Sequence, residues 1–388
     1  MDQLSGPSGA RVCAPEIVRA ATVEHDMPTP VTKLAGLMGD APLTLVALFI
    51  SSSADIPAIA AEANAAFPGT LVIGCTTAGE ISCQGYDSGK IVAVGFPQAH
   101  FRANTVVVED LDNFDATAVI DRMIQSRNAL IRETPDWESD FNFLMIDGVS
   151  TQEDTLTSQI AAGLGPVPLF GGSAGDDDRF EATFVLHDGA VLTNAAVIAQ
   201  LRTRCRVKVF KTDHYEPTER RMVVTRASPD RRIVHEINAE PAAREYARML
   251  GKDPEQLSTF TFAANPLVVR IGGRHHVRSI QQVTEEGDLA FFSAIDEGLV
   301  LTLARASDMI EHLETQLRTL ETHGKPDAIL ACDCLFRRIE AEQQQLTGRI
   351  SQLFREHRVV GFSTYGEQIN SMHVNQTLTG VAIYPPPE

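Results

Sequence analysis

Leu71-Val-Ile-Gly-Cys-Thr-Thr-Ala-Gly-Glu-Ile81 and Val359-Val-Gly-Phe-Ser-Thr-Tyr-Gly-Glu-Gln-Ile369 stand near opposite ends of the chain and read alike. Each is a short apolar strand running into a glycine, a few small or hydroxylated residues, and then Gly-Glu. Glycine at such a place admits positive φ or lets another backbone come close. The two copies, 74–80 and 361–367, predict two half-domains facing one another. A third turn, Leu169-Phe-Gly-Gly-Ser-Ala-Gly-Asp-Asp177, lies between them.

Outward from these turns, apolar runs predict strands at 43–50, 72–75, 91–94, 104–108 and 143–146. Helices are predicted at 56–66 and 116–130, with helical spacing over 155–163. Asp188-Gly189 joins strands at 182–187 and 190–198 into a hairpin. Further strands are expected at 207–211, 222–227, 233–237, 267–271, 277–281, 289–293 and 376–384. Helices are expected at 241–250, 306–322 and 336–357. Several strands follow one another without the crossover helices that parallel pairing needs. The expected fold class is α/β of the α+β kind, with mixed, largely antiparallel sheets packed with helices. Residues 1–14 are expected to form a loose tail, 15–200 a first domain and 201–388 a second.

The chain has 388 residues, 44% hydrophobic and 22% charged, enough for two or three domains with cores of their own. Its net charge of -18 argues against nucleic-acid binding, which relies on cations to neutralise phosphates. The six scattered cysteines suit a reducing compartment better than a disulfide scaffold. With no secretory leader and no apolar run of membrane-spanning length, the sequence predicts a soluble cytoplasmic protein.

Six segments in order resemble the FIST family of bacterial sensory proteins, which carry an N-terminal and a C-terminal FIST domain in tandem. They are the turns at 74–80 and 171–176, Asp213-His-Tyr-Glu-Pro217, Asn265-Pro266, Cys332-Asp-Cys-Leu-Phe-Arg337, and Gly366-Glu367. The run Tyr365-Gly-Glu-Gln-Ile-Asn-Ser-Met-His-Val-Asn-Gln-Thr377 looks most like the NosP-type haem-binding nitric oxide sensors. The resemblance implies two α/β halves and a sensor role without catalysis. Its cofactor would be haem b and its ligand nitric oxide. Its output would pass to a separate histidine kinase or a diguanylate cyclase or phosphodiesterase. A homo-oligomer is compatible with this reading.

Within that reading, Arg202, Arg204, Arg206 and Lys208 alternate with Leu201, Thr203, Cys205, Val207 and Val209. On one strand this period of two puts four cations on one face, leading towards His214 and Tyr215. Such a strip suits haem propionates, with His214 as axial ligand and Tyr215 or His373 as its rivals. From the residues alone, a solvated strand face and a packed histidine are the commoner arrangement. Asp213 and Tyr215 depart from the Ser-His-Gly-Trp found in other FIST proteins. His275 and His276 point to opposite faces of an extended segment, while Arg274 and Arg278 suit an anion.

The turns supply the remaining pocket candidates: Cys75, Thr76, Glu80, Gly172, Ser173, Cys332, Arg337, Tyr365 and Glu367. Glu80 and Glu367 either form a carboxylate pair or, as commoner practice has it, each accept hydrogen bonds within its own turn. Two alternatives stand beside the haem reading. One is a FIST sensor of amino acids or another small metabolite, which the Arg- and Glu-rich turns suit equally. The other is a cysteine-dependent hydrolase or transferase using Cys75.

Overall fold

All three glycine turns end the third strand of one repeated unit, and the repeat organises the molecule. A computed structural model describes residues 11, 12 and 16–386, so most of the expected tail lies outside the described residues. The unit reads strand, helix, strand, helix, strand, turn, hairpin, strand. In unit one these are Arg19–Glu24, Pro30–Met38, Leu43–Ser51, Ile56–Ala66, Leu71–Thr77, the hairpin of Glu80–Ser82 with Gly85–Asp87, and Lys90–Pro97. Unit two runs from Phe101–Val108 through helix Ala116–Glu133, Ser139–Ile146, helices Glu153–Gln159 and Ala161–Leu164, and Leu169–Ser173. It closes with the hairpin of Val185–His187 and Ala190–Leu192, then Ala196–Thr203. Unit three begins at Val207–Thr212 and resumes with helix Met309–Leu320, Ala328–Cys334, helices Leu335–Gln343 and Thr347–Glu356, and Val359–Thr364. Its hairpin is Glu367–Ile369 with Met372–Val374, and its last strand Leu378–Ile383.

Each unit has one parallel pair joined by a crossover helix, while its other strand pairs are antiparallel. The fold is α+β, with mixed sheets and helices. The hairpins are exchanged in a cycle. Unit one's hairpin extends unit three's sheet, with Glu80–Ser82 against Val359–Thr364. Unit three's extends unit two's, with Glu367–Ile369 against Leu169–Ser173. Unit two's extends unit one's, with Val185–His187 against Leu71–Thr77.

Three equivalent glycines allow the strands before the turns to pack. A Cβ on Gly74, Gly171 or Gly361 would stand 2.7, 2.3 or 1.8 Å from the carbonyl oxygen of Leu48, Leu144 or Ala331. Beyond them the three units share one apolar centre. Phe49 of unit one stacks on Phe362 of unit three at 4.6 Å, and Phe143 stacks on Phe170 at 4.9 Å, with Cys75 and Cys332 in the same cluster. Burial on both faces explains why strands such as Leu43–Ser51 are almost continuously apolar.

Unit three is interrupted after Thr212 by an eight-stranded antiparallel sheet spanning 215–306. Its core is built on Tyr246, Phe262, Leu289 and Phe291 and includes Ala78 and Tyr365, from the turns of units one and three. The inserted sheet therefore sits on the turn end of the units.

Two local expectations change. Residues 201–209 are not one strand: the chain bends at Arg204 and Cys205, where Cys205 N–H donates to Thr203 Oγ1 at 3.0 Å. Arg202 turns inward onto Asp140 at 2.9 Å, whereas Arg204 and Arg206 are exposed, so the four cations share no face. The single helix expected over 336–357 is two, broken where Gln345 takes a left-handed conformation at φ 59°.

Candidate functional site

Where the inserted sheet meets the units lies a buried polar seam. Its first part is centred on helix Leu335–Gln343. Arg337 Nε donates to Asp333 Oδ1 at 2.7 Å, and the Tyr86 hydroxyl donates to the other oxygen of that carboxylate. Burial alone would lower the Arg337 pKa, but Asp333 beside it outweighs burial and keeps the guanidinium charged. Arg337 then donates to His214 Nδ1 at 2.9 Å, which leaves the proton on Nε2 facing Glu340 at 3.1 Å. Glu340 also accepts the Tyr215 hydroxyl at 2.5 Å and Gln344 Nε2 at 3.0 Å. Burial lowers the His214 pKa, and burial followed by the Glu340 charge raises that of Tyr215. Both are therefore neutral near pH 7.

His214 also marks the neck of the insertion. Its carbonyl accepts Ser307 N–H at 2.8 Å and the Ser307 hydroxyl at 2.9 Å, tying the entry of the inserted sheet to its exit. From Tyr215 the network continues. Gln376 Nε2 reaches the Tyr215 oxygen at 3.3 Å and Ala263 O at 2.8 Å, and Gln376 Oε1 accepts Ser279 Oγ at 3.2 Å.

The second part gathers residues of units two and three against the inserted sheet. Glu153 accepts Arg232 at 2.8 Å, and Asp154 accepts the same guanidinium at 3.2 Å. Gln368 Nε2 lies within hydrogen-bond distance of Ser173 Oγ at 3.0 Å, Gly366 O at 3.3 Å and His373 Nδ1 at 3.2 Å. A cleft of about 320 Å³ lies along the same contact between sheet and units, lined by Phe260, Asp177, Arg338 and Ile339.

The structure brings His214, Tyr215 and Arg337 together, and places Ser173 and His373 in the second part. Arg204 and Arg206 lie elsewhere. Arg206, which stacks on Tyr384, is at the far end of the six-residue strand Val207–Thr212, roughly 20 Å from His214. Glu80 and Glu367 are not a cleft pair. Glu80 accepts the Thr77 hydroxyl at 2.5 Å and Lys90 N–H at 3.0 Å; Glu367 accepts the Thr364 hydroxyl at 2.5 Å and Thr377 N–H at 3.0 Å. Thr76 Oγ1 accepts Phe184 N–H at 3.0 Å, and Tyr365 bonds Asp176 through its hydroxyl. Gly172 faces Thr364, Phe362 and Cys332, so the glycine turn at 171–175 packs against protein.

Cys75 and Cys332 are fully buried free thiols whose pKa values burial raises, the reverse of what a nucleophile needs. Cys83 is disulfide-bonded, which the sequence reading did not anticipate. His312 is half-buried and bonds Thr212 Oγ1 at 2.6 Å. Glu340, Glu153, Arg232, Gln368, Asn375 and Gln376 are site residues that pattern reading passed over. Glu340 lies three residues after Arg337 on its helix, and that spacing was the available signal.

His214 does not fit haem. His214 has an Arg donor on one nitrogen and a carboxylate on the other. Gly366 O orients the Gln368 amide, which places its Nε2 3.2 Å from His373 Nδ1. His214 thus has both ring nitrogens engaged, whereas His373 Nε2 is buried without a partner.

The repeated α+β core thus carries an inserted sheet over a buried polar seam. Residues 44–240 match the FIST N domain and residues 242–370 the FIST C domain, and the chain belongs to the FIST family of signal-transduction sensor domains that bind small ligands. It is similar to an uncharacterized protein of Methanocaldococcus jannaschii. The two are 24% identical over 353 residues, covering 80% of this chain and 67% of the relative. Among the described residues, no helix is long and apolar enough to cross a membrane.

Proposed function

We propose that the chain senses a small polar metabolite bound in the seam and reports its presence through the inserted sheet. One observation carries this reading: the backbone tie between the insertion's entry and exit is made at His214, whose ring belongs to the buried network. A ligand that rearranges the seam acts on the neck and favours one placement of the inserted sheet, the differential affinity that a signal requires. The output passes to a separate signalling enzyme of the histidine-kinase or cyclic-di-GMP kind. Haem and nitric oxide do not carry this reading, because both ring nitrogens of His214 are already engaged.

Hydrogen–deuterium exchange on the full chain, with and without amino acids and small organic acids, tests it. A binding metabolite is expected to slow exchange at 372–376 and to change it at 213–215 and 306–308. Slowed exchange confined to surface loops, or no response to any of these compounds, overturns the reading.

A further inference from the structure

In the second part of the seam, three hydrogen-bond donors are buried without a partner: Arg278 Nε, His373 Nε2 and Asn375 Nδ2. Their side chains are well covered, at 8, 2 and 0% residue exposure. Buried polar atoms are nearly always paired, because leaving one bare costs about 1–3 kcal/mol. Three on one patch call for a common partner.

The orientations are set by neighbours. Asn375 Oδ1 accepts Ser279 N–H at 3.4 Å and the Ser293 hydroxyl, which turns its NH2 group the other way. Gln368 Nε2 stands 3.2 Å from His373 Nδ1, a contact that the tautomer with its proton on Nε2 satisfies. The point at which a Cβ on Gly366 would stand is 2.8 Å from His373 Nε2 and 3.0 Å from Asn375 Nδ2. Both nitrogens therefore converge on Gly366, so closely that a side chain there would have to displace the His373 ring, whose Cε1 would lie 2.3 Å from that Cβ. Arg278 NH1 donates to the carbonyl of His373 at 3.3 Å, bringing its guanidinium to the same strand. Ser279, the next residue, is the one that holds Asn375.

Charge selects what fits. Arg278 makes no ion pair among the described residues. Asp154, whose field reaches it, is already bound to Arg232 at 3.2 Å and to Ala294 N–H at 2.8 Å. Burial and the Arg232 charge both disfavour the Arg278 cation. A buried, unpaired guanidinium beside two neutral donors is a receptor for an oxyanion, and its planar fork matches a carboxylate. Gln368 Oε1, also buried and unpartnered, leaves one acceptor on the patch.

We infer that Arg278, His373 and Asn375 form the anion-binding end of the seam and take the carboxylate of a small organic acid. The inference rests on the sensor reading above and names its ligand class. Binding would supply Arg278 with its missing countercharge and fasten the inserted sheet to unit three.

Thermal unfolding of the full chain in sodium acetate, acetamide and sodium chloride at matched concentrations tests this. The expected result is a saturable rise in midpoint with acetate, absent with acetamide and chloride. Arg278→Met removes an uncompensated buried charge, so it should raise the midpoint of the unliganded protein and abolish the acetate response. Gly366→Ala displaces the His373 ring from its place and should abolish the response by itself. A lower midpoint for Arg278→Met, or an acetate response that survives both substitutions, overturns the assignment. If acetate fails while an uncharged metabolite still protects 372–376 from exchange, the anion site falls and the sensor reading stands. If neither protects that segment, both fall.

Discussion

Glu80 and Glu367 hold the same place in two different units, each accepting the hydroxyl of the threonine three residues before it at 2.5 Å. Both lie where an exchanged hairpin leaves its own unit. The shared motif reads Thr-x-Gly-Glu in the sequence, and its role is to shape a turn.

Burial raises both carboxyls, Glu80 to about 7 and Glu367 to about 8 from an ordinary 4.5, although their hydrogen bonds oppose the shift. A raised folded-state pKa means that the native state keeps a proton the unfolded chain has released. Stability should therefore fall as pH rises from 4.5 towards 8, by at most about 1.4 kcal/mol per pH unit for each group. Glu367→Gln keeps the contact with Thr364 and removes one titration. Urea unfolding across pH 5–8 should show a flatter profile for that variant.

The equivalent glycines should differ in tolerance as their contacts do. Alanine at Gly361 meets a backbone oxygen at 1.8 Å and a φ of 153°, and should cost about 3 kcal/mol or more. At Gly171 the contact is 2.3 Å and at Gly74 it is 2.7 Å, so the losses should decrease in that order. Denaturant midpoints of the three variants would reveal the ranking.

Removing one partner from the first part of the seam should be expensive. Arg337→Met strands the fully buried Asp333 without its cation, a loss of about 3–5 kcal/mol. Glu340→Gln leaves an oxygen to accept from His214 and should cost about 1 kcal/mol. A similar loss for the two would mean that the ion pair with Asp333 adds nothing to stability.

Cys75 has no exposed surface, and its thiol is held protonated by burial. Iodoacetamide should label it only as fast as the native state opens, which mass spectrometry can follow. Rapid labelling under native conditions would restore the hydrolase reading.

Local signals were strong enough to locate many strands and helices. The helix at Ile56–Ala66 matches its expected span: Asp55 caps Ala58 N–H at 3.1 Å, a proline follows, and an apolar stripe faces the core. Hairpin exchange left no such trace. Nothing within Glu80-Ile-Ser82 says that its partner is Val359–Thr364, because strand pairing is decided by packing far along the chain. The third glycine turn was visible, yet without the Gly-Glu ending its equivalence to the other two shows only in register. In the site, alternation misled at 202–208 because a bend closed by Thr203 and Cys205 needs neither glycine nor proline. Arg232, buried at φ 53°, and Asn375 lie in segments where no periodic pattern marks them as site residues.

The cyclic exchange also sets an order on synthesis. The hairpin at 80–87 leaves the ribosome well before its sheet partner at 359–364. Until then the hairpin cannot join its sheet, and the strand edges left open are places where other chains can pair. Contacts so distant in sequence fold slowly. A nascent chain that has not yet reached 359–374 is thus the vulnerable species, and unit three is what closes the ring.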